Sequence, residues 1–559
     1  MNSNSPLIIN SVSNDNWDVI VVGAGAAGLM TCLELPSNLK ILLLNRNQGR
    51  LSSSRWAQGG MAAVVSPEDS LDSHFQDTIE AGAGLCDEDS VRMFVDQAPD
   101  CIRRLQKLGM EFDKESAGLI STTLEAAHSH RRVLHVKDRT GRALIEFLLE
   151  QVERKANIVQ GRGARVTQLW VQNNRCSGVQ VLEGLNLFWI SSRAVVLATG
   201  GGGHLFANTT NPSLASGEGL SLAWNAGAVI EDLEFVQFHP TALKIDGAPC
   251  FLLSEALRGE GAVLTDQNGN SPIAHLKGVD LAPRDQVSKA LVEAMNRQNV
   301  DSFGLDLSPI SRDKLESRFP TIINNCRELG LDPLKNSIPV APAAHYWMGG
   351  VSTDMKASTT VSSLYAVGEV AATGLHGANR LASNSLMECI VFARQMSYID
   401  LRETCKSDHP IQCRKYMECN WDLVDPLTSN SIMVAINNLR QLCWKEAGVT
   451  RSYRGMHKVL LRINKDLEEL KKQPLLVLID LQSNDEHHLF TNNARRDVNL
   501  LLDLRNRLIS TKLLFQACLF RGESRGGHFR SDFNASSPYW RCHSRQQLGK
   551  QISTRPVRD

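Results

Sequence analysis

The sequence predicts an α/β fold: a doubly wound nucleotide-binding domain, split by an α+β insertion and followed by a C-terminal helical bundle. Three observations predict it. A strand–glycine–helix–strand unit opens the chain, two more strand-to-glycine turns return far downstream, and long amphipathic periods fill the last third. Asp18–Val22 is an apolar run ending in glycines, Ala26–Leu35 is patterned as a helix, and Lys40–Leu44 is a second apolar run. Together they begin a βαβ unit. Arg193–Gly203 (RAVVLATGGGG) is another strand running into glycines, and Leu364–Ser385 repeats the pattern. Turns so far apart describe one domain in two parts, 16–240 and 349–400, around a capping insertion at 241–348. Thr428–Glu446, Thr450–Lys472 and Asn492–Arg521 have helical periodicity, which makes 401–559 a helical domain with a tail.

Composition narrows the function classes. The 559 residues carry 60 Lys+Arg against 60 Asp+Glu, with a pI near 7.2. Hydrophobic residues make up 42% and charged residues 21%, which excludes a disordered chain, a collagen and a coiled coil. The charge balance argues against a nucleic-acid binder. The segment from Thr491 to Asp559 has 13 Lys+Arg and 5 Asp+Glu, a net of +8. It reads as an intramolecular neighbour of the acidic remainder. The 13 cysteines form no CxxC and no zinc spacing, so free thiols in a reducing compartment are expected, with no metal site. No leader pattern and no apolar run of membrane-spanning length occur, and the expectation is a cytoplasmic protein that does not bind membranes.

Gly23-Ala24-Gly25-Ala26-Ala27-Gly28 is GxGxxG between a strand and a helix. The first glycine permits the tight turn, the second lets a pyrophosphate approach, and the third lets helix and strand pack closely. The helix start at Ala26 and Ala27 offers free N–H groups to phosphate. This is a Rossmann-like dinucleotide site. The acid that normally meets the ribose is replaced by Asn45-Arg46, so an amide or backbone contact is expected there. The residues alone leave FAD and NAD both open. The further glycine clusters suit a long cofactor, and Glu369 suits its ribityl or ribose hydroxyls.

A series of segments then points to a family. They are VVGAGAAGL, WAQGGMAA (Trp56–Ala63), EAAHSHRRVLH (Glu125–His135), FVQFHPTAL (Phe235–Leu243) and SEALRGEGAVL (Ser254–Leu264). APRDQVSKA (Ala282–Ala290), PAAHYWMGGV (Pro342–Val351), GLHGANRLASNSLMEC (Gly374–Cys389) and RGESRGGHF (Arg521–Phe529) complete them. In this order the chain resembles the succinate dehydrogenase/fumarate reductase flavoprotein family over nearly its whole length. The resemblance implies FAD, held by the first turn and by Ser52, Ser53, Gln58, Gly59, Gly60, Thr199, Gly200, Gly201, Glu369, Asn384, Ser385 and Leu386. Respiratory members attach FAD to a histidine where Ser53 stands here, so the cofactor is expected to be non-covalent. Arg525 and His528 are expected to make interdomain contacts.

The same resemblance implies a dicarboxylate substrate: L-aspartate, fumarate or succinate. Arg380, whose planar fork suits a carboxylate, is the first candidate to bind it, with His239, His345 and Ser254. Glu255 and Arg258, spaced i,i+3, would relay protons behind Arg284 as acid/base, with a purely electrostatic clamp as the alternative role for Arg284. Glu125 stands where amino-acid-using members place an acid in an EGGHSH-like context, and would meet a substrate ammonium. Two alanines replace those glycines, so a different loop path is expected. The implied reaction is oxidation of L-aspartate to iminoaspartate, with the flavin reoxidised by O2 or fumarate. This is the first step of quinolinate and NAD biosynthesis, with product passed to quinolinate synthase. A soluble fumarate reductase or succinate dehydrogenase flavoprotein subunit is the alternative.

Overall fold

The computed structural model describes residues 16–47, 51–116, 118–401, 415–419, 429–483, 486–490 and 492–558. The apolar runs read from the sequence form its central sheet. Trp17–Val22 pairs in parallel with Ile41–Asn45 on one side and with the second half of Asn186–Leu197 on the other. Ile158–Arg162 and Leu364–Ala366 extend the parallel part at either side. The first half of the twelve-residue strand Asn186–Leu197 pairs antiparallel with Arg175–Glu183 and with Glu486–Phe490. One strand therefore belongs to two pairing regimes.

Strand alternation sorts the side chains onto two cores. Val19, Val21, Ile41, Leu43 and Val196 face helices Ala26–Glu34, Glu88–Leu108, Thr140–Glu153 and Asn384–Gln395. Ile20, Val22, Leu42, Leu44 and Leu197 face the opposite side, with Leu501, Leu508, Leu513 and Phe515. These four belong to the last long helix, Asn492–Phe520, which with Ser429–Ala447 and Tyr453–Leu470 covers that face. The C-terminal helices thus close over the sheet and share its core. Both faces are covered, as a parallel sheet requires.

The capping segment has its own core, built on an antiparallel sheet of order 236–243, 338–347, 303–306, 263–265. Helix Arg284–Gln298 packs against its first strand.

The tail adds strands that the helical periodicity did not announce. Cys542–Gln546 and Ser553–Pro556 form a hairpin, and the first of these pairs with Ile230–Glu231. The basic residues here meet acids of the first half of the chain. Arg555 pairs with Asp87 at 2.7 Å and Glu231 at 3.1 Å, and Arg521 with Glu234 at 2.6 Å. The +8 segment is thereby matched within the molecule. Arg525 donates to Ala83 O at 2.7 Å and the His528 ring lies edge-on to Phe235 at 6.3 Å, so both reach across to the first part of the chain, while His528 Nδ1 also lies 2.6 Å from Arg451 Nη1. Ten cysteines among the described residues are free thiols, and no described helix is long and apolar enough to cross a membrane.

His543, on this hairpin, is buried between Asp232 and Asp87, with Arg555 close by. Burial opposes its charge, but Asp232 and Asp87 prevail and push its pKa up to about 9. A raised folded-state pKa gives stability that is complete below the unfolded value near 6.5 and lost as pH rises through about 9. The shift corresponds to on the order of 3 kcal/mol. We expect wild-type Tm to fall between pH 7 and 10 by more than that of His543→Gln. Parallel Tm–pH curves would contradict the pairing.

Candidate active site

The glycine turn is fixed by close approach. Gly23 has φ 111°, and a Cβ there would lie 2.3 Å from Ala198 O. A Cβ on Gly28 would lie 1.8 Å from Gly23 O, so the helix packs on the turn only with glycine. Gly25, Ala26, Ala27, Thr199 and Gly200 line one long cleft with Asn45, Ser52, Ser53, Glu369, Ser385 and Leu386. Ser54, which sequence reading passed over, accepts from Ala26 N at 3.2 Å and occupies the helix N-terminus. Ser53 Oγ donates to Asn211 Oδ1 at 3.2 Å, and a hydroxyl stands where a linking imidazole would be needed.

The cleft fits a polyhydroxylated dinucleotide. Thr199 Oγ1 is buried in its wall with no partner, an orphan that a ligand hydroxyl or phosphate satisfies. Glu369 accepts from Trp347 N at 3.0 Å, and burial raises its pKa to about 7. Its carboxyl sits against Gly201, where a Cβ would come within 2.3 Å of it. At the far end, Asn45 accepts from Asn47 N at 3.3 Å, while Arg46 turns to Asp503 at 2.8 Å. The Asn384 side chain meets His74 Nε2 at 3.0 Å and donates to Thr78 Oγ1 at 3.2 Å. It opens helix Asn384–Gln395 and is buried against Leu71–Ala81, while Ser385 and Leu386 line the cleft.

Beyond the glycines the chain gathers cations. Glu255 is 1% exposed; its Oε1 accepts from Arg258 Nη2 at 2.6 Å and its Oε2 from Arg284 Nε at 2.8 Å. The two guanidinium groups hold this carboxyl below its usual range despite burial. Arg258 in turn donates to Asp280 O, at the partly exposed edge of the capping segment. Arg284 opens helix Arg284–Gln298, so the capping fold presents it at a helix end. Gln237 Oε1 accepts from both Arg284 Nη1, at 3.0 Å, and Arg380 Nη2, at 2.9 Å. Its Nε2 donates to Asn379 Oδ1 and Arg380 O. Sequence reading missed Gln237. Its place two residues before His239 on one strand was the available signal, since i and i+2 share a face.

Arg380 also donates to Ser385 Oγ at 2.9 Å and lies over the Tyr346 ring at 4.6 Å. Its Nε is buried without a partner, and burial beside Arg284 lowers its pKa to about 10. Both imidazoles sit at irregularities between Val236–Leu243 and Ile338–Trp347. Tyr346 pairs with Gln237 and Ala344 with Phe238, which leaves His345 as the extra residue of a bulge. A second irregularity follows His239. Bulges re-aim side chains in this way. The rings lie 5.1 Å apart, and burial and the nearby arginines push both pKa values well down. Neutral His239 accepts from Thr241 N at Nδ1, 3.3 Å, so its Nε2 carries the proton as a donor. His345 Nδ1 meets Thr210 Oγ1 at 2.8 Å.

Glu125 is the acid of the site. It is 2% exposed, takes a hydrogen bond from Ser383 Oγ at 2.7 Å, and burial with Glu255 nearby raises its pKa. Gly59 sits against it, where a Cβ would be 3.4 Å from Oε1, and Gly60 N donates to the same Ser383 Oγ. Gln58 Oε1 accepts from Ser254 N at 3.2 Å, and Ser254 Oγ accepts from Ala256 N. Ala127 has φ 62° and keeps the left-handed backbone that glycine favours, at a cost of about 1 kcal/mol. The alanines have therefore not freed this loop from glycine-like geometry.

A pyrophosphate cradle leading to buried arginines and neutral imidazoles is the design of an FAD-dependent oxidoreductase. The family model described as FAD binding domain matches residues 18–386, and that described as Fumarate reductase flavoprotein C-term matches 436–559. The chain is 43% identical to the L-aspartate oxidase of Nostoc sp., covering 94% of this chain and 93% of that protein. It is 42% identical to the L-aspartate oxidase of Synechocystis sp., covering 95% and 97%. It superposes on the E. coli quinol fumarate reductase FrdA with TM-score 0.84, 27% identity and 97% coverage of each chain. The chain belongs to the L-aspartate oxidase family, within the succinate dehydrogenase and fumarate reductase flavoproteins.

Gln237→Leu would leave Arg284 Nη1 and Arg380 Nη2 without their shared acceptor. Each orphaned donor costs about 1–3 kcal/mol, so succinate affinity should fall roughly tenfold or more. FAD content, read from the flavin spectrum, should be unchanged. Wild-type succinate affinity in this variant would remove Gln237 from the positioning of the arginines.

Proposed function

We propose that the chain oxidises L-aspartate to iminoaspartate. The observation that carries this reading is Glu125, a buried acid beside a site that is otherwise cationic. A plain dicarboxylate has no use for it, whereas an amino dicarboxylate brings an ammonium group. Arg380, His239 and His345 bind the two carboxylates, with Ser254 at the margin. Burial leaves these donors little water to compete with, which strengthens each contact. Glu125, raised when alone, becomes the stable anion once the ammonium faces it.

FAD, held by the Gly23–Gly28 turn, Thr199–Gly201, Glu369, Ser385 and Leu386, supplies the two-electron acceptor when bound. The protein's own contribution is orientation and proton handling. Fixing the substrate by both carboxylates sets the direction of its Cα–H and removes much of the entropic barrier. Arg284, Glu255 and Arg258 form an unbroken donor–acceptor chain toward Asp280. In this reading the chain carries a proton between the reacting atoms and solvent, with Arg284 Nη returning to its protonated state after each exchange. Ser53 lacks the imidazole needed for a covalent link, so the cofactor is dissociable. O2 or fumarate takes the electrons, and iminoaspartate passes to quinolinate synthase in the cytoplasm, at the start of NAD biosynthesis. The free cysteines suit that compartment.

The test begins with the purified yellow protein. Acid precipitation should leave the flavin in the supernatant, and anaerobic L-aspartate should bleach the visible spectrum. Bleaching by succinate alone would overturn the reading in favour of a fumarate reductase or succinate dehydrogenase. Glu125→Gln should lower kcat/KM for aspartate by about 30-fold or more, the scale of losing a buried charge partner. Fumarate reduction should fall much less; equal losses would take the ammonium role from Glu125.

A further inference from the structure

A second cavity lies where helix Ser429–Ala447, the 204–213 loop and the 244–250 loop meet. The last of these follows the strand that carries His239. The cavity shares Trp56 and Asn211 with the cofactor cleft. Asn211 stands at the junction, donating to His345 O at 2.7 Å and accepting from Ser53 Oγ at 3.2 Å. Trp56 is 46% exposed, so the shared wall reaches solvent.

The walls of this cavity carry an unusual charge pattern. Arg440 is held by carbonyl oxygens alone: Nη2 donates to Phe206 O at 3.2 Å and Ala207 O at 3.0 Å. Its Nε is buried without a partner, and no carboxylate pairs with it among the described residues. Lys244 adds a second cation. The one acid of the lining, Asp246, is fully exposed at the loop tip and lies 3.5 Å from Lys244. A half-buried guanidinium without a counter-charge is costly, and an anion that enters the cavity relieves it. With Lys244 facing Asp246, the uncompensated charge of the lining is that of Arg440, and its field in a low-dielectric wall raises the local concentration of such an anion.

We infer that this cavity is the vestibule through which the dicarboxylate reaches the cleft, with Arg440 as its outer capture group and Lys244 in support. The inference rests on the proposed dicarboxylate site. Arg440 does not touch the bound substrate. It lowers the barrier between solvent and cleft, so it acts on the rates of entry and exit and leaves the final complex largely unchanged.

The test is stopped-flow binding of succinate to the oxidised holoenzyme, followed by the flavin absorbance change. Arg440→Gln should slow association by about three- to tenfold at low ionic strength. Dissociation should slow with it, so that Kd moves less than either rate. In about 0.5 M NaCl, where charges are screened within about 4 Å, the variant should approach wild type. Arg440→Lys keeps the charge and should stay near wild type throughout. A loss that is equal at all salt concentrations and shared by Arg440→Lys would mean that Arg440 only clamps the 206–207 loop, and would overturn the inference. So would unchanged rates in Arg440→Gln. A second, steric measurement does not depend on charge. A bulky maleimide adduct at Cys250 should slow association and dissociation together, relative to Cys250→Ser treated alike; no slowing overturns the route. If wild-type holoenzyme neither binds succinate nor is bleached by aspartate, the site reading itself has failed and the vestibule falls with it. If wild type does both, only the vestibule is at stake.

Discussion

The buried lattice of Glu255, Arg284, Gln237 and Arg380 is the interaction on which the rest of this molecule depends. Three guanidinium groups, counting Arg258, are packed around one carboxylate and one amide oxygen. Like charges repel strongly where water is scarce. Glu255 cannot neutralise all three, and the site keeps a positive excess. That excess is what a dianion stabilises. The fold exists in this form because the members of the lattice come from distant stretches of chain. Gln237 lies on a strand, Glu255 just before a short helix, Arg284 at a helix start, and Arg380 in the loop before Asn384–Gln395.

Two layers of structure keep the lattice in place. The main sheet sets the glycine turn and, through Leu364–Ala366 and the loop beyond it, Arg380. The capping sheet sets the imidazoles and Arg284. The two meet along Gln237 and Asn379, whose Nδ2 also donates to Asp285 Oδ1 of the capping helix at 2.9 Å. Asp285 is half-buried and desolvation raises its pKa to about 6; the Asn379 amide holds it, and no cation forms an ion pair with it among the described residues. Bulges between Val236–Leu243 and Ile338–Trp347 do the fine aiming, turning His345 out of the regular alternation.

Much of this was legible in the sequence. Apolar runs ending in glycines located the sheet, because a strand buried on both faces has no polar alternation to blur it. Arg380, Arg284, His239 and His345 were legible through motif resemblance, since each sits inside a short segment that keeps the family's text and order. Gln237 was not, because an amide carries no charge and its role comes from two arginines more than 40 residues away. The side-chain direction of Asn384 was not legible for a related reason: a motif places a residue near a site but does not say which way its side chain turns, and here His74 and Thr78 hold it. The terminal hairpin was invisible because short polar strands are defined by the edge they join, not by their own pattern.

That hairpin also orders events in time. Asp87, Glu231 and Asp232 are buried acids whose partners His543 and Arg555 lie more than 300 residues later in the chain and so are synthesised long after them. Until then the growing chain holds unpaired carboxylates beside the Gly374 loop, whose backbone carbonyl accepts from Asp87 N at 2.9 Å. The early part of the fold must wait for this late hairpin to seal it. Disrupting the hairpin would strand those charges in a buried setting, so the stability of the first strands and helices is set in part by residues hundreds of positions away.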